Sequence, residues 1–188
     1  MSAIMDSPST LTIVIGTQST ASREHFGRIA SNIAQTLYIY FGAEVDIRFD
    51  YEINYSTLEG NVICLGMENE NSYVQEVIRR SHLTFPIQAK EGIITINDTS
   101  NAYTYHGDGM GAIYLHPLEK SRLLLIICGT DNNGLEKAAK LFPYRTGVCQ
   151  PDWVVVGPKM GIYGMQGIEA MGYYSNLWGI EPAVSYFS

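Results

Sequence analysis

No stretch of this chain approaches the roughly 18 consecutive apolar residues that a membrane-spanning helix needs. Positive charge is short as well, with 12 lysines and arginines against 19 aspartates and glutamates and a formal charge of −7. Such a surface has little with which to displace counterions from a phosphate backbone, so nucleic acid is a poor partner. Cysteine is scarce. The three residues, Cys64, Cys128 and Cys149, form no C-x-x-C pair and share no metal-ligand spacing with histidine, so no metal site is expected. The nucleophile elbow G-x-S-x-G is missing too. Its nearest imitation, Gly-Thr-Gln-Ser-Thr at residues 16–20, lacks the second glycine that lets a helix pack close, so no catalytic residue is assigned. The opening Met-Ser-Ala-Ile-Met-Asp carries no leader pattern and reads as an internal start.

What is present suits one buried core, with 188 residues of which 46% are hydrophobic. Residues 11–15 and 61–65 are short β-branched runs stopped by Gly16 and Gly66, the pattern of strands buried on both faces. Phe26, Ile29, Ala30, Ile33, Ala34 and Leu37 recur at helical spacing, and the helix they predict ends near Gly42. Val45, Ile47 and Phe49 alternate with charged residues, as in a half-exposed edge strand. A second helix is predicted through Tyr73, Val74, Val77 and Ile78. Two hairpins follow, 92–96 with 102–105 and 111–115 with 122–128. A short helix after Asp131 and a strand at 153–156 complete the pattern. The fold class is α/β, a flavodoxin-like or Rossmann-like layered sandwich with a mixed sheet and two β-hairpins. Residues 1–10 read as a flexible N-terminal segment, 11–157 as the α/β domain, and 158–188 as a glycine- and aromatic-rich tail.

Three groups of residues could carry function. The polar turn after the first strand offers the hydroxyls of Thr17, Ser19, Thr20 and Ser22 ahead of a helix N-terminus, which is the chemistry of a phosphate cradle. This turn resembles the phosphate loop of flavodoxins, with Thr20 where those loops carry a glycine, and the resemblance implies FMN or another phosphate ligand. No flavin-stacking loop is evident beyond Gly66. His106 and Asp108, set among Gly107, Gly109 and Gly111, could form an acid/base pair or a ligand site. With no third ligand or nucleophile adjacent, the favoured reading is a chain turn in which Asp108 bonds backbone amides. In the tail, Tyr163, Tyr173, Tyr174 and Trp178 could stack on sugar rings, dock a protein, or pack on their own domain. Two N-x-S/T triplets, at Asn54 and Asn97, would be glycosylation acceptors in a secreted chain. His25, His82 and His116 are read as ordinary polar residues, His116 at the start of a hairpin turn.

Residues 12–17 (Thr-Ile-Val-Ile-Gly-Thr), 61–66 (Asn-Val-Ile-Cys-Leu-Gly), 107–118 (Gly-Asp-Gly-Met-Gly-Ala-Ile-Tyr-Leu-His-Pro-Leu), 124–130 (Leu-Leu-Ile-Ile-Cys-Gly-Thr) and 147–156 (Gly-Val-Cys-Gln-Pro-Asp-Trp-Val-Val-Val) form an ordered series. That series resembles the region downstream of the catalytic domain in large secreted α/β-hydrolases of the prolyl-oligopeptidase-like class. The resemblance covers most of residues 11–157. It implies an accessory C-terminal domain of a secreted protein, with an upstream hydrolase domain of the same polypeptide as its partner. It assigns no catalytic residue here, because none of the matching motifs is a catalytic one.

Overall fold

The computed structural model describes residues 1–19, 23–81, 84–98, 100–143 and 150–188. Four apolar runs become the parallel half of a mixed eight-stranded sheet: β1 (Leu11–Ile15), β2 (Val45–Phe49), β3 (Val62–Leu65) and β8 (Leu123–Gly129), adjacent in the order β2-β1-β3-β8. The antiparallel half continues from β8 through β7 (Gly111–Pro117), β9 (Trp153–Val156), β10 (Ile168–Gly172) and β11 (Tyr186–Phe187). A separate antiparallel sheet holds β4 (Ile87–Lys90), β5 (Ile93–Asn97) and β6 (Ala102–His106).

The layers follow from which faces are apolar. Helix α1 (Arg23–Phe41) buries Phe26, Ile29, Ala30, Ile33 and Leu37. These pack with α3 (Asn132–Ala139) on the sheet face carrying Ile13, Ile63, Ile113 and Leu125. On the opposite face, α2 (Ser72–Arg80) and the small sheet cover Val14, Cys64, Ile126 and Val155 with Tyr73, Val77, Ile94 and Ile96. Both faces of the central strands are therefore dry, and each fully buried aliphatic side chain contributes about 1.5–3 kcal/mol. Strand β2 stands at the end of the sheet, but the expected alternation is not kept: Ile47 is exposed together with Asp46 and Arg48, and only Val45 and Phe49 are half-buried.

Helix ends are set by short-range chemistry. Gly42, with a φ of +63°, ends α1, and Ala43 N then donates to Leu37 O at 3.3 Å. Asn71 caps α2 by accepting from Tyr73 N and Val74 N, and Asp131 caps α3 by accepting from Gly134 N at 2.6 Å.

Two segments differ from what the sequence suggests. Residues 158–188 do not only wrap the domain: β10 and β11 extend the main sheet, and a short helix, α4 (Met160–Tyr163), precedes them. Phe187 stacks between the two sheets, 4.0 Å from Tyr103 and 5.5 Å from Trp153 between ring centroids. The first ten residues are also anchored, since Ile4 is fully buried, its carbonyl accepts from Asn61 Nδ2 at 3.0 Å, and Ser7 Oγ accepts from Asn61 N at 2.8 Å.

Candidate functional site at the strand ends

Strand registers bring the C-terminal ends of β1, β3, β8 and β9 and the N-terminal ends of β7 and β10 to one edge. Between β2-β1 and β3 the chain reverses its direction of winding, and such a switch point is where open α/β sheets bind ligands. The polar turn after β1 and the His106–Asp108 loop both lie at this edge.

Thr17 Oγ1 donates to Asp50 Oδ1 at 2.6 Å, and the other oxygen of Asp50 accepts from Ser72 N at 2.7 Å. Asp50 is 3% exposed. A buried carboxylate therefore stands behind the first hydroxyl of the turn. The loop after β3 crosses directly over Gly16: Gly16 N donates to Leu65 O, and Gln18 N to Glu70 O at 3.0 Å. A Cβ on Gly16 would lie 2.5 Å from Glu70 O and 3.0 Å from Asn71 Cβ. Asn71 Nδ2 also donates to Leu65 O and, more weakly, to Val14 O, joining the two loops. Glu70 Oε2 accepts from Met67 N at 2.8 Å, and burial raises its carboxyl pKa despite that bond. Two carboxylates so near the turn oppose a phosphate by charge. Ser19 is a described residue of the turn, while Thr20 and Ser22 lie outside the described residues.

The second candidate loop is tied down from α3 and β8. Thr130 Oγ1 donates to Gly107 O at 2.6 Å, Gly109 N donates to Asp131 Oδ2 at 2.9 Å, and Lys137 Nζ donates to Gly109 O at 3.3 Å. The carboxylate that holds this turn is thus Asp131 and not Asp108. Gly107 and Gly109 have φ of +93° and +75°, which leaves Asp108 at an exposed tip with His106 exposed at the end of β6. No hydrogen bond among the described residues joins the two.

The aromatic residues of the last thirty positions divide. Tyr174 and Trp178 pack on Phe85, with ring centroids at 5.4 and 6.4 Å, and on each other at 5.4 Å. Tyr173 is half-buried, and Tyr163 is exposed. Asn54 and Asn97 are both exposed. Cys64 and Cys128 are buried free thiols whose pKa values burial pushes up, and Cys149 lies outside the described residues.

A residue that the sequence suggests is an ordinary turn histidine sits at the opposite end of the sheet. His116 belongs to β7 and is 2% exposed. It is no turn residue. Its Nδ1 lies 2.7 Å from Pro117 O, which makes Nδ1 the protonated nitrogen, and Nε2 has no partner among the described residues. Burial pulls its pKa down to about 4, although the bond to Pro117 works the other way. A groove of about 230 Å³ adjoins it, lined also by Tyr55, Val77, Arg80 and Glu119. The guanidinium of Arg80 lies 4.8 Å from the Tyr55 ring centroid, and Arg122 is buried with Nη1 donating to Leu58 O at 2.6 Å. These cations are bound to carbonyls, to Glu76 and to a ring, so they brace the loops at this end.

Among the described residues no cluster of three potential metal ligands occurs, and no helix is long and apolar enough to cross a membrane. No protein-family model matches the chain. Over 174 residues, 90% of its length, the chain is 30% identical to an "Uncharacterized secreted protein" of Arthroderma benhamiae (strain ATCC MYA-4681 / CBS 112371). The chain spans 18% of that relative's length.

Proposed function

We propose that the chain is a non-catalytic α/β module of a larger secreted polypeptide, where it packs on and positions a hydrolase domain. The observation that carries this reading is the length relation: nearly the whole chain matches less than a fifth of a protein named as secreted. The strand-end edge supports it from the side of chemistry. Thr17, Asp50, Glu70, Asn71, Thr130 and Asp131 turn their polar atoms toward neighbouring loops and brace them. Apolar side chains available for docking are exposed in the last turn of α1, at Tyr38, Ile39, Tyr40 and Phe41, and at Ile47 of edge strand β2. The hydrolase part of the same polypeptide is its occupant in this account.

The test is hydrolysis of ester and peptide substrates by the isolated chain against a heat-inactivated control. The expected result is no excess turnover, and clear turnover removed by no upstream inhibitor would overturn the proposal.

A second reading has one observation in its favour. The strand order β2-β1-β3-β8 supports it, since the winding reverses beside β1 and the turn carrying Thr17 and Ser19 follows that strand. That reading makes the chain an FMN or phosphate binder, with the buried Asp50 and Glu70 as opposing charges. Added FMN should raise the melting temperature if the reading holds, because a ligand that binds only the folded state stabilises it.

A further inference from the structure

We propose that Asn97 carries an N-linked glycan whose first N-acetylglucosamine lies against Trp178 in the groove between the small sheet and the 174–180 turn. The proposal rests on the secreted context argued above. Asn97 ends β5 and opens the triplet Asn97-Asp98-Thr99. Its backbone N donates to Pro86 O at 2.8 Å, which fixes the position, while the residue itself is exposed and its carboxamide has no hydrogen bond among the described residues. Asn54, the other acceptor, turns its carboxamide oxygen back onto Ser56 N and Oγ.

Beside Asn97 runs a groove of about 320 Å³, lined by Phe85, Pro86, Leu177, Trp178 and Ile180 as well as Asn97 itself. Its walls are largely apolar, yet it opens to water: Leu177 is 87% exposed. The neighbouring carboxylate, Asp98, accepts from Ser100 N at 2.6 Å and Asn101 N at 2.8 Å, so it is held within its own turn. A pyranose presents an apolar C–H face suited to an aromatic ring and a polar rim suited to water. A sugar joined to Asn97 starts inside this groove and needs no search to find it.

Trp178 supports the same assignment from its backbone. It has a φ of +63°, a conformation that is an outlier for a bulky side chain. Residues held this way cost on the order of 1–3 kcal/mol and persist where the surroundings impose them. Here Ser175 N donates to Gly179 O at 2.8 Å, Trp178 N donates to Ser175 O at 3.0 Å, and Tyr174 bridges to Ile180. The pinned turn keeps the half-buried Trp178 in the wall of the groove that Asn97 also lines.

The modification joins Asn97 Nδ2 to the anomeric carbon of an oligosaccharide. The bond from that carbon to a lipid pyrophosphate donor breaks, the pyrophosphate leaves, and Nδ2 gives up one proton. The reaction belongs to a secretory transferase. The chain supplies the acceptor and the seat.

The experiment expresses the 188-residue chain behind a cleavable secretory leader in a eukaryotic host, with unglycosylated chain from a bacterial host for comparison. Glycopeptide mass should show an oligosaccharide on Asn97, lost in Thr99→Ala. An endoglycosidase that leaves one N-acetylglucosamine should leave the melting temperature unchanged, about 2–4 °C above the unglycosylated chain. In Trp178→Ala and, separately, Leu177→Ser, that gain should fall, to under about 1 °C in the tryptophan variant. If Trp178→Ala does not fold, the Leu177→Ser gain and the shift of indole fluorescence on sugar removal decide. Unmodified Asn97 in the secreted chain, or a gain unchanged in the foldable variants, overturns the proposal. Because the leader supplies the secretion, those failures leave the secreted reading untouched; that reading is tested by finding the native protein outside the cell.

Discussion

Thr17 and Asp50, 33 positions apart in sequence, meet at 2.6 Å with the threonine hydroxyl donating to a carboxylate that is almost wholly buried. That carboxylate also accepts from Ser72 N, so one side chain joins the turn after β1, the end of β2 and the first turn of α2. Removing Thr17 as Thr17→Val leaves one carboxylate oxygen without its hydroxyl partner, and Asp50→Asn weakens both bonds. Each change should lower stability to urea by about 1–3 kcal/mol. Made together, they should cost less than their sum, by at least about 0.5 kcal/mol, since they break a shared contact. Simple additivity in this cycle would show that the pair is not coupled.

Gly16 permits the close approach of the two loops. Gly16→Ala forces a methyl onto Glu70 O and should destabilise by about 1–3 kcal/mol. Gly27→Ala, in α1 with no heavy atom within 4 Å of the new methyl, should stabilise by up to about 1 kcal/mol. Thermal unfolding of both variants checks the contrast, and equal shifts would remove the crossing-loop account of Gly16.

His116 predicts acid sensitivity with a definite sign. Its folded pKa of about 4 lies below the ordinary value of 6.5, so between these values the unfolded chain binds more protons. Its contribution to stability is present above pH 6.5 and is lost as pH falls toward 4, amounting to about 3 kcal/mol over that window. His116→Phe, beside the Phe85 ring at 4.3 Å, should flatten this part of the stability profile. A variant as acid-sensitive as the parent would assign the effect to other groups.

The run of β-branched residues stopped by glycine made β1 and β3 legible, because a strand dry on both faces needs no alternation. The helix face of α1 was equally plain. The contact between Thr17 and Asp50 was not, since nothing local to either residue marks the other. Pro117 after His116 suggests a turn, whereas β7 runs on through Pro117 with β8 as its neighbour. The final strands leave no mark in the sequence for a different reason. β10 carries alanine and glycine at inward positions and β11 is two residues long, so neither makes a pattern. Trp178 has partners that are distant in sequence, Phe85 among them, and no periodicity reports such packing.

The exposed end of α1 gives a prediction that separates docking from folding. Tyr40→Glu and Ile47→Glu lie on the surface and should change the isolated chain's stability by no more than about 0.5 kcal/mol. In the longer polypeptide they should loosen the packing of this module on its neighbour, read as faster limited proteolysis at the junction. Unchanged proteolysis would move the docking face elsewhere.

The size of the native protein, measured in its source by immunoblot against this domain, tests the central claim most directly. A band several times larger than 20.9 kDa, recovered outside the cell, is the result this account predicts. A band at 20.9 kDa would contradict it and make the chain a free-standing protein, with the ligand-binding reading next to pursue.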